Sequence, residues 1–483
     1  MKKTPSETNH KVAGGQPLHF GTDGWRGVIA DTFTFANLER MAQATARALG
    51  ATRAPRRVVI GHDRRFMAAT HADRVAQVLA GNQFTVLRTD SDLPTPALSS
   101  LVVDHNAGCG LMLTASHNPA SFGGYKIKSA LGGSASPGFT RLIESHLDRE
   151  QPIRLAAAEA RKRGLWHDVD FAAGYAARLR RTVDGDILRD APRLKIIVDS
   201  MHGCGGHLIA GFLDDYGHEV VTLRGDRDVL FGGAGPEPIP ERLTGLREAV
   251  LTEKADMGIA TDGDADRVAA VDDTGRFLSA LQITPLLAHD RLQRCKQRGD
   301  LARTCANTVL LDRIAAAHGL DCHVFPIGFK HLVPLLEQGR LLIGGEESGG
   351  IGIAGYLPER DGILIGLLMV EMMAARKLPL SALLSEVWRT YGEFHYRRKD
   401  LHLPPRRGQA LVERLQGDPP SQLASVQVTG VDNLDGVKLL LGETGWIMVR
   451  PSGTEPVLRL YCEARSPGIV DALLVAMAQH LET

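Results

Sequence analysis

Three carboxylates alternate in the run Thr261-Asp262-Gly263-Asp264-Ala265-Asp266-Arg267. Three carboxylates at alternate positions cannot share one solvated face of an α-helix, but on a tight, glycine-bearing loop they can converge on one cation. Oxygen-only ligands favour a hard ion, Mg²⁺ or Ca²⁺. A calcium-binding EF-hand also opens D-x-D-x-D, but it needs Gly at position six and Glu at position twelve. Here those positions hold Arg267 and Asp273, and the flanks read as strands rather than helices, so that motif is rejected. A cation beside Arg267 favours phosphate as the further ligand. A solvated acidic turn is the competing reading.

Thr114-Ala115-Ser116-His117-Asn118-Pro119 places a serine where a strand ends and a Pro-terminated turn begins. A serine hydroxyl is a weak nucleophile until a base or metal assists it. His117 is adjacent, but sequence neighbours seldom hydrogen-bond side chain to side chain, so no Ser–His pair is established by proximity in sequence. Lys126 follows ten residues later and can carry a proton if its surroundings lower its pKa. On spacing alone, Ser116 as an ordinary turn serine is the favoured reading.

Gly21-Thr22-Asp23-Gly24-Trp25-Arg26-Gly27 lacks the P-loop pattern. Its glycines around Arg26 suit close backbone approach to an anion, with a plain turn equally acceptable. Arg450-Pro451-Ser452-Gly453-Thr454 combines an Arg, two hydroxyls and backbone N–H groups suited to phosphate oxygens. Glu346-Glu347-Ser348 offers acceptors and a hydroxyl suited to sugar hydroxyls, although a solvated acidic turn fits those residues as well.

The elements that must hold these loops read as α/β units. Strands are predicted at residues 58–60, 84–87 and 110–113, with a helix at 68–79. The pattern restarts with strands at 195–199, 219–223 and 257–259, a helix running to Tyr216 and another at 243–253. A third unit is predicted to start with a helix ending in the run 310–315, followed by a strand at 341–343. Pro404-Pro405-Arg406-Arg407-Gly408 reads as a boundary, with a small α+β domain beyond it. The polar loops follow strands, where open α/β sheets bind ligands.

With 483 residues the chain has room for three or four domains of ~100–200 residues each. Lys+Arg and Asp+Glu both number 56, so the basic excess of a nucleic-acid binder is missing. No nucleic acid and no membrane partner is expected. The most apolar stretch, 362–370, is far short of the ~20 residues needed to span a bilayer. The N-terminus is polar through Pro17, without a signal-peptide core. The six cysteines show no C-x-x-C spacing and read as reduced thiols, so a cytoplasmic location is expected.

The ordered set TASHNP, DGDADR, GEESGG and RPSGTEP resembles the α-D-phosphohexomutase superfamily, which holds phosphoglucomutases and phosphomannomutases. The resemblance runs from Phe20 to the closing helix. It implies an α/β fold of three related α/β domains with mixed sheets plus a smaller C-terminal α+β domain, heart-shaped around a central cleft. The implied layout is a flexible tail at 1–17, a phosphoserine domain at 18–170, a metal-binding domain at 171–277, a sugar-binding domain at 278–395 and a phosphate-binding domain at 396–483. A monomer or homodimer is expected.

By the same resemblance, Ser116 is the phosphoserine, and Asp262, Asp264 and Asp266 hold Mg²⁺ together with a phosphate oxygen on Ser116. Arg26, Lys126, His117 and Arg267 belong to the transfer site, with Lys126 as a proton carrier. Glu346, Ser348 and Lys330 serve the sugar, and Arg450, Ser452, Gly453 and Thr454 serve the phosphate that is not being transferred. The implied reaction carries a hexose monophosphate through a hexose 1,6-bisphosphate.

The chain departs from part of that family. Gly350 stands where dual-specificity phosphomannomutases and phosphoglucosamine mutases carry His, and Phe329 stands where a second relative motif has His after a Gly. Both departures favour glucose phosphate. Mannose and glucosamine phosphates are the alternatives, with GEESGG arguing more against glucosamine than against mannose. A non-catalytic sugar-phosphate sensor and a hydrolytic phosphatase are readings from other classes. Arg303 is considered as a further cleft cation.

Overall fold

The computed structural model describes residues 18–21, 23–451 and 457–482. The tail at 1–17 and the site residues Ser452, Gly453 and Thr454 lie outside the described residues. The chain forms two compact units. One holds the chain up to Arg178 with His202–Cys204 and Arg227–Pro236, and the other holds Leu179–Met201, Gly205–Asp226 and Glu237 onward.

The first unit is built on β1 (Trp25–Val28), β2 (Arg57–His62), β3 (Thr85–Thr89), β4 (Cys109–Leu113), β5 (Phe122–Ser129) and β6 (Trp166–Val169). Their order across the sheet is β1-β5-β4-β2-β3-β6. The β4, β2, β3 and β6 strands run parallel, β5 is antiparallel to β4, and β1 pairs antiparallel with β5. β4 is wholly buried, as expected of a strand covered on both faces. Helices Phe35–Gly50 and Ala68–Gly81 supply one cover through Leu38, Met41, Val75 and Leu79. Thr34 caps the first of these by accepting from the Asn37 N–H at 3.2 Å.

The described residues of the second unit form three sheets of four or five strands and one two-stranded hairpin. The first contains β7 (Lys195–Asp199), β8 (Glu219–Leu223), β9 (Met257–Thr261), β10 (Val268–Asp272) and β11 (Phe277–Leu278), in the order β11-β10-β9-β7-β8. The next contains β12 (Asp300–Thr304), β13 (Cys322–Phe325), β14 (Leu341–Gly345) and β15 (Ile351–Ile353), in the order β13-β12-β14-β15. The last follows a different plan. It is an antiparallel sheet of β16 (His395–His402), β19 (Gly430–Asp432), β20 (Val437–Leu440), β21 (Gly445–Pro451) and β22 (Val457–Ala464). A small hairpin, β17 (Gln422–Leu423) with β18 (Val426–Gln427), lies beside it in sequence.

One device recurs in the three mixed sheets. A buried strand with a parallel neighbour (β4, β9 or β14) ends in a polar loop, and the chain returns on an antiparallel partner (β5, β10 or β15). Those loops hold Ser116, the three aspartates and Glu346.

Two expected elements need correction. The helix expected to end in 310–315 begins there, spanning Leu310–His318. Before it come the helix Ala280–Gln293 and the strand β12, which the sequence pattern did not reveal. That helix is buried on nearly every side, so it carries no amphipathic period to read. Pro405, in the stretch read as a boundary, opens the helix Pro405–Gly417 as a first-turn proline. The apolar run at 362–370 forms part of the helix Gly362–Arg376, packed against β9 and β10. Among the described residues, no helix is long and apolar enough to cross a membrane.

Candidate active site

In the first unit, the loop after β4 is held by one arginine. Arg65, 2% exposed, donates from Nη2 to the carbonyls of Ser116 and Asn118, both at 2.7 Å. From Nη1 it donates to the carbonyls of Pro119 at 2.7 Å and Phe122 at 3.1 Å. Asp63 fixes the guanidinium through a 3.0 Å contact to Nε, and the Phe231 ring lies 4.9 Å from its centre. Thr114 Oγ1 donates to Asp63 at 2.7 Å and accepts from the Ser116 N–H at 2.9 Å.

Within this clamp Ser116 sits at φ 53°, in the left-handed region that costs a non-glycine residue of order 1–3 kcal/mol. The consequence is chemical. The turn at Ser116 swings its hydroxyl to 3.4 Å from His117 Nδ1, so these sequence neighbours do come within hydrogen-bond range. Arg26, on β1, donates to Asn118 Oδ1 at 2.5 Å, and β1 pairs with the β5 strand that carries Lys126. Lys126 is 1% exposed and forms an ion pair with Asp23 at 3.0 Å. Ser116, His117, Arg26 and Lys126 therefore all belong to the elements around one loop.

The second unit holds the carboxylates. Asp262, Asp264 and Asp266 are each 0% exposed, and their ligand atoms lie within 4.8 Å of one another. At that separation two unit charges repel by roughly 3–4 kcal/mol at an effective dielectric of about 20. Three such charges, with oxygen ligands alone, fit a hard divalent cation. Ala265 takes φ 55°, the second non-glycine left-handed residue in a candidate loop. The Arg267 N–H donates to Asp262 at 3.2 Å. Burial opposes the charge on Arg267, but Asp262, Asp266 and Glu346 outweigh it and hold its pKa above the usual arginine value.

Arg360 joins the aspartate loop to the loop of Glu346. It donates from Nη2 to Asp266 at 2.7 Å and from Nη1 to Glu346 at 3.1 Å. Glu347 points elsewhere, accepting from Thr304 Oγ1 at 2.9 Å, and Asn307 donates to the Gly345 carbonyl at 2.9 Å. Ser348 lines a cavity of about 900 Å³ together with Glu347, Gly349, Trp388, His395 and Arg398. Lys330 lies in a short helical turn, Phe329–His331. Asp435 ties that region to Arg450: it accepts from the Ile327 N–H at 2.9 Å and from Arg450 Nε at 2.8 Å. Burial works against the Arg450 charge, and Asp435 overcomes it. Arg303 is not a cleft cation, because it is buried in a two-pronged pair with Asp312, at 2.6 and 3.2 Å.

Sequence reasoning missed Arg65, Asp63, Asp23, Arg360 and Asp435. For Arg65 the available signal was Asp63-Arg64-Arg65 directly after a strand. For Arg360 it was a charged triplet, Glu359-Arg360-Asp361, at the mouth of an apolar helix.

Comparison with known proteins shows the family to which this fold and these loops belong. Residues 17–154, 173–275 and 281–391 match the alpha/beta/alpha domains I, II and III of phosphoglucomutase/phosphomannomutase, and residues 410–480 match its C-terminal domain. A probable phosphoglucosamine mutase of Methanothermobacter thermautotrophicus is 31% identical, over 93% of this chain and 95% of that one. A phosphoglucomutase/phosphomannomutase of Thermococcus kodakarensis is 30% identical, over 92% and 94%. The crystal structure of a phosphomannomutase, described as putative, from Thermus thermophilus superposes with a TM-score of 0.86 at 36% identity, covering 97% of this chain and 99% of that one. The chain belongs to the phosphoglucomutase/phosphomannomutase family and is a phosphohexomutase enzyme.

Proposed function

We propose that the protein interconverts hexose 1-phosphate and hexose 6-phosphate through a phosphoryl group on Ser116, with mannose phosphate as the leading substrate. The observation that carries the reaction is the buried Asp262–Asp264–Asp266 cluster, whose concentrated charge calls for a divalent cation. When bound, Mg²⁺ supplies charge neutralisation for the phosphoryl group in transit.

The chain's own residues do the rest. The Arg65 clamp holds the Ser116 turn, and the shielded setting of Ser116 keeps water from the phosphoserine. Lys126 and His117 are the groups placed to take or return the hydroxyl proton. Arg26 and Arg267 balance charge on the transferred oxygens. Glu346 and Ser348 accept from and donate to sugar hydroxyls, with Lys330 beside them, and Arg450, Ser452, Gly453 and Thr454 receive the phosphate at the other end of the sugar. Phosphoserine gives its phosphoryl group to the free hydroxyl of the monophosphate. The resulting 1,6-bisphosphate turns around, and its other phosphate returns to Ser116.

The glucose preference expected from Gly350 is not retained as the leading reading. The structure supplies a packing reason for that glycine, and the relatives above include, at 36% identity, a protein whose crystal structure is described as that of a putative phosphomannomutase. Phosphoglucosamine mutase is the second reading, supported by the Methanothermobacter relative.

The test is a coupled assay with Mg²⁺ and a trace of hexose 1,6-bisphosphate, comparing mannose, glucosamine and glucose 1-phosphates. Fastest turnover of mannose 1-phosphate is expected. A strong preference for glucose 1-phosphate would restore the reading based on Gly350, and release of inorganic phosphate without isomer would make the enzyme a phosphatase.

A further inference from the structure

Gly350 and Phe329 both lie against Arg360. A Cβ on Gly350 would stand 2.3 Å from Arg360 Cδ and 3.0 Å from Glu346 Oε2. The ring of Phe329 lies 5.4 Å from the guanidinium centre. Gly350 clears the path for the side chain, and Phe329 offers it an aromatic face. Arg360 itself is 2% exposed, and its fork reaches Asp266 at 2.7 Å and Glu346 at 3.1 Å, with Glu359 3.5 Å from Nε.

Resting on the function proposed above, we propose that Arg360 is a positioning residue that holds the sugar acceptor Glu346 in fixed register with the metal-loop carboxylate Asp266, and that Gly350 exists to admit it. Two nitrogens of one rigid plane set the separation of two carboxylates, which a lysine's single ammonium cannot do. Glu346 is thereby kept from rotating toward other partners. In this chain Gly350 reports the arginine beside it rather than the identity of the sugar. Gly350→His would displace Arg360.

The experiment compares wild type, Arg360→Lys, Gly350→Ala and the double variant. Binding of mannose 6-phosphate is measured by calorimetry in excess chelator, beside thermal melting and, with Mg²⁺ present, kcat and KM. Each single substitution is expected to weaken metal-free binding about tenfold, the value of one charge-assisted hydrogen bond. Melting temperatures should stay near wild type, and the double variant should be no worse than the poorer single, because both remove one arrangement. Losses that multiply, a single variant that binds within about twofold of wild type, or losses that simply track a collapse in melting temperature would each overturn the inference. Failure of the wild type to bind or turn over any hexose phosphate would instead overturn the proposed function.

Discussion

The serine loop and the metal loop solve one geometric problem with opposite electrostatics. Each follows a buried strand, and each contains a non-glycine residue at positive φ, Ser116 at 53° and Ala265 at 55°. Around Ser116 the holding force is a single cation spread over four neutral carbonyls, of Ser116, Asn118, Pro119 and Phe122. The loop of Ser116 contributes no carboxylate to this clamp; Asp63 sits behind the arginine. Around Ala265 the loop itself is anionic, and arginines 267 and 360 only partly balance it. The first loop is therefore complete as a rigid backbone cradle, while the second is built around charge that a further cation completes.

The comparison predicts a graded set of failures. Ser116→Ala should remove all phosphoenzyme and lower turnover by at least ~10³-fold, with an unchanged melting temperature; persistent phosphoenzyme by intact mass would reassign the nucleophile. Asp264→Asn should cost on the order of 10²-fold in kcat, and chelator should silence the wild type until Mg²⁺ is restored, as followed by the coupled assay. Full activity in excess chelator would remove the metal role of the aspartates. Arg65→Met should act on folding as well as rate, because it strands buried Asp63 and uncouples four carbonyls. A loss of roughly 3–5 kcal/mol in denaturant unfolding is expected, and a variant of native stability would mean the clamp is incidental.

The last effect concerns acid. His71 is buried against the rings of Phe33 and Phe35, and burial lowers its pKa from 6.5 to about 4. Between those values the unfolded chain holds more protons than the folded one. Stability therefore falls as pH drops from 6.5 through 4, by on the order of 3 kcal/mol in total. Denaturant melts of His71→Gln should lose that part of the pH dependence, and an unaltered slope would contradict it.

Much of this was legible in the chain. The strands at 195–199 and 219–223 match the sequence reading end to end, because short β-branched runs bounded by turn residues admit little else. The loops were legible because each concentrates groups that are expensive to bury without a task. The helix Ala280–Gln293 was not, since uniform burial erases its period. Arg65 and Arg360 were not, because a lone arginine in a charged triplet looks like surface until its partners are known. The Arg360 side chain packed at Gly350 was not legible either, since an absent side chain does not say what fills its place.

The most direct test of the central claim is a pulse and chase on Ser116. The enzyme is labelled with radioactive phosphate from hexose 1,6-bisphosphate, freed of ligand, and mixed with unlabelled mannose 1-phosphate and Mg²⁺. The account predicts that label leaves Ser116 within one turnover and appears in hexose 1,6-bisphosphate and mannose 6-phosphate. Label that stays on the protein while mannose 6-phosphate forms, or that departs as inorganic phosphate, would contradict it.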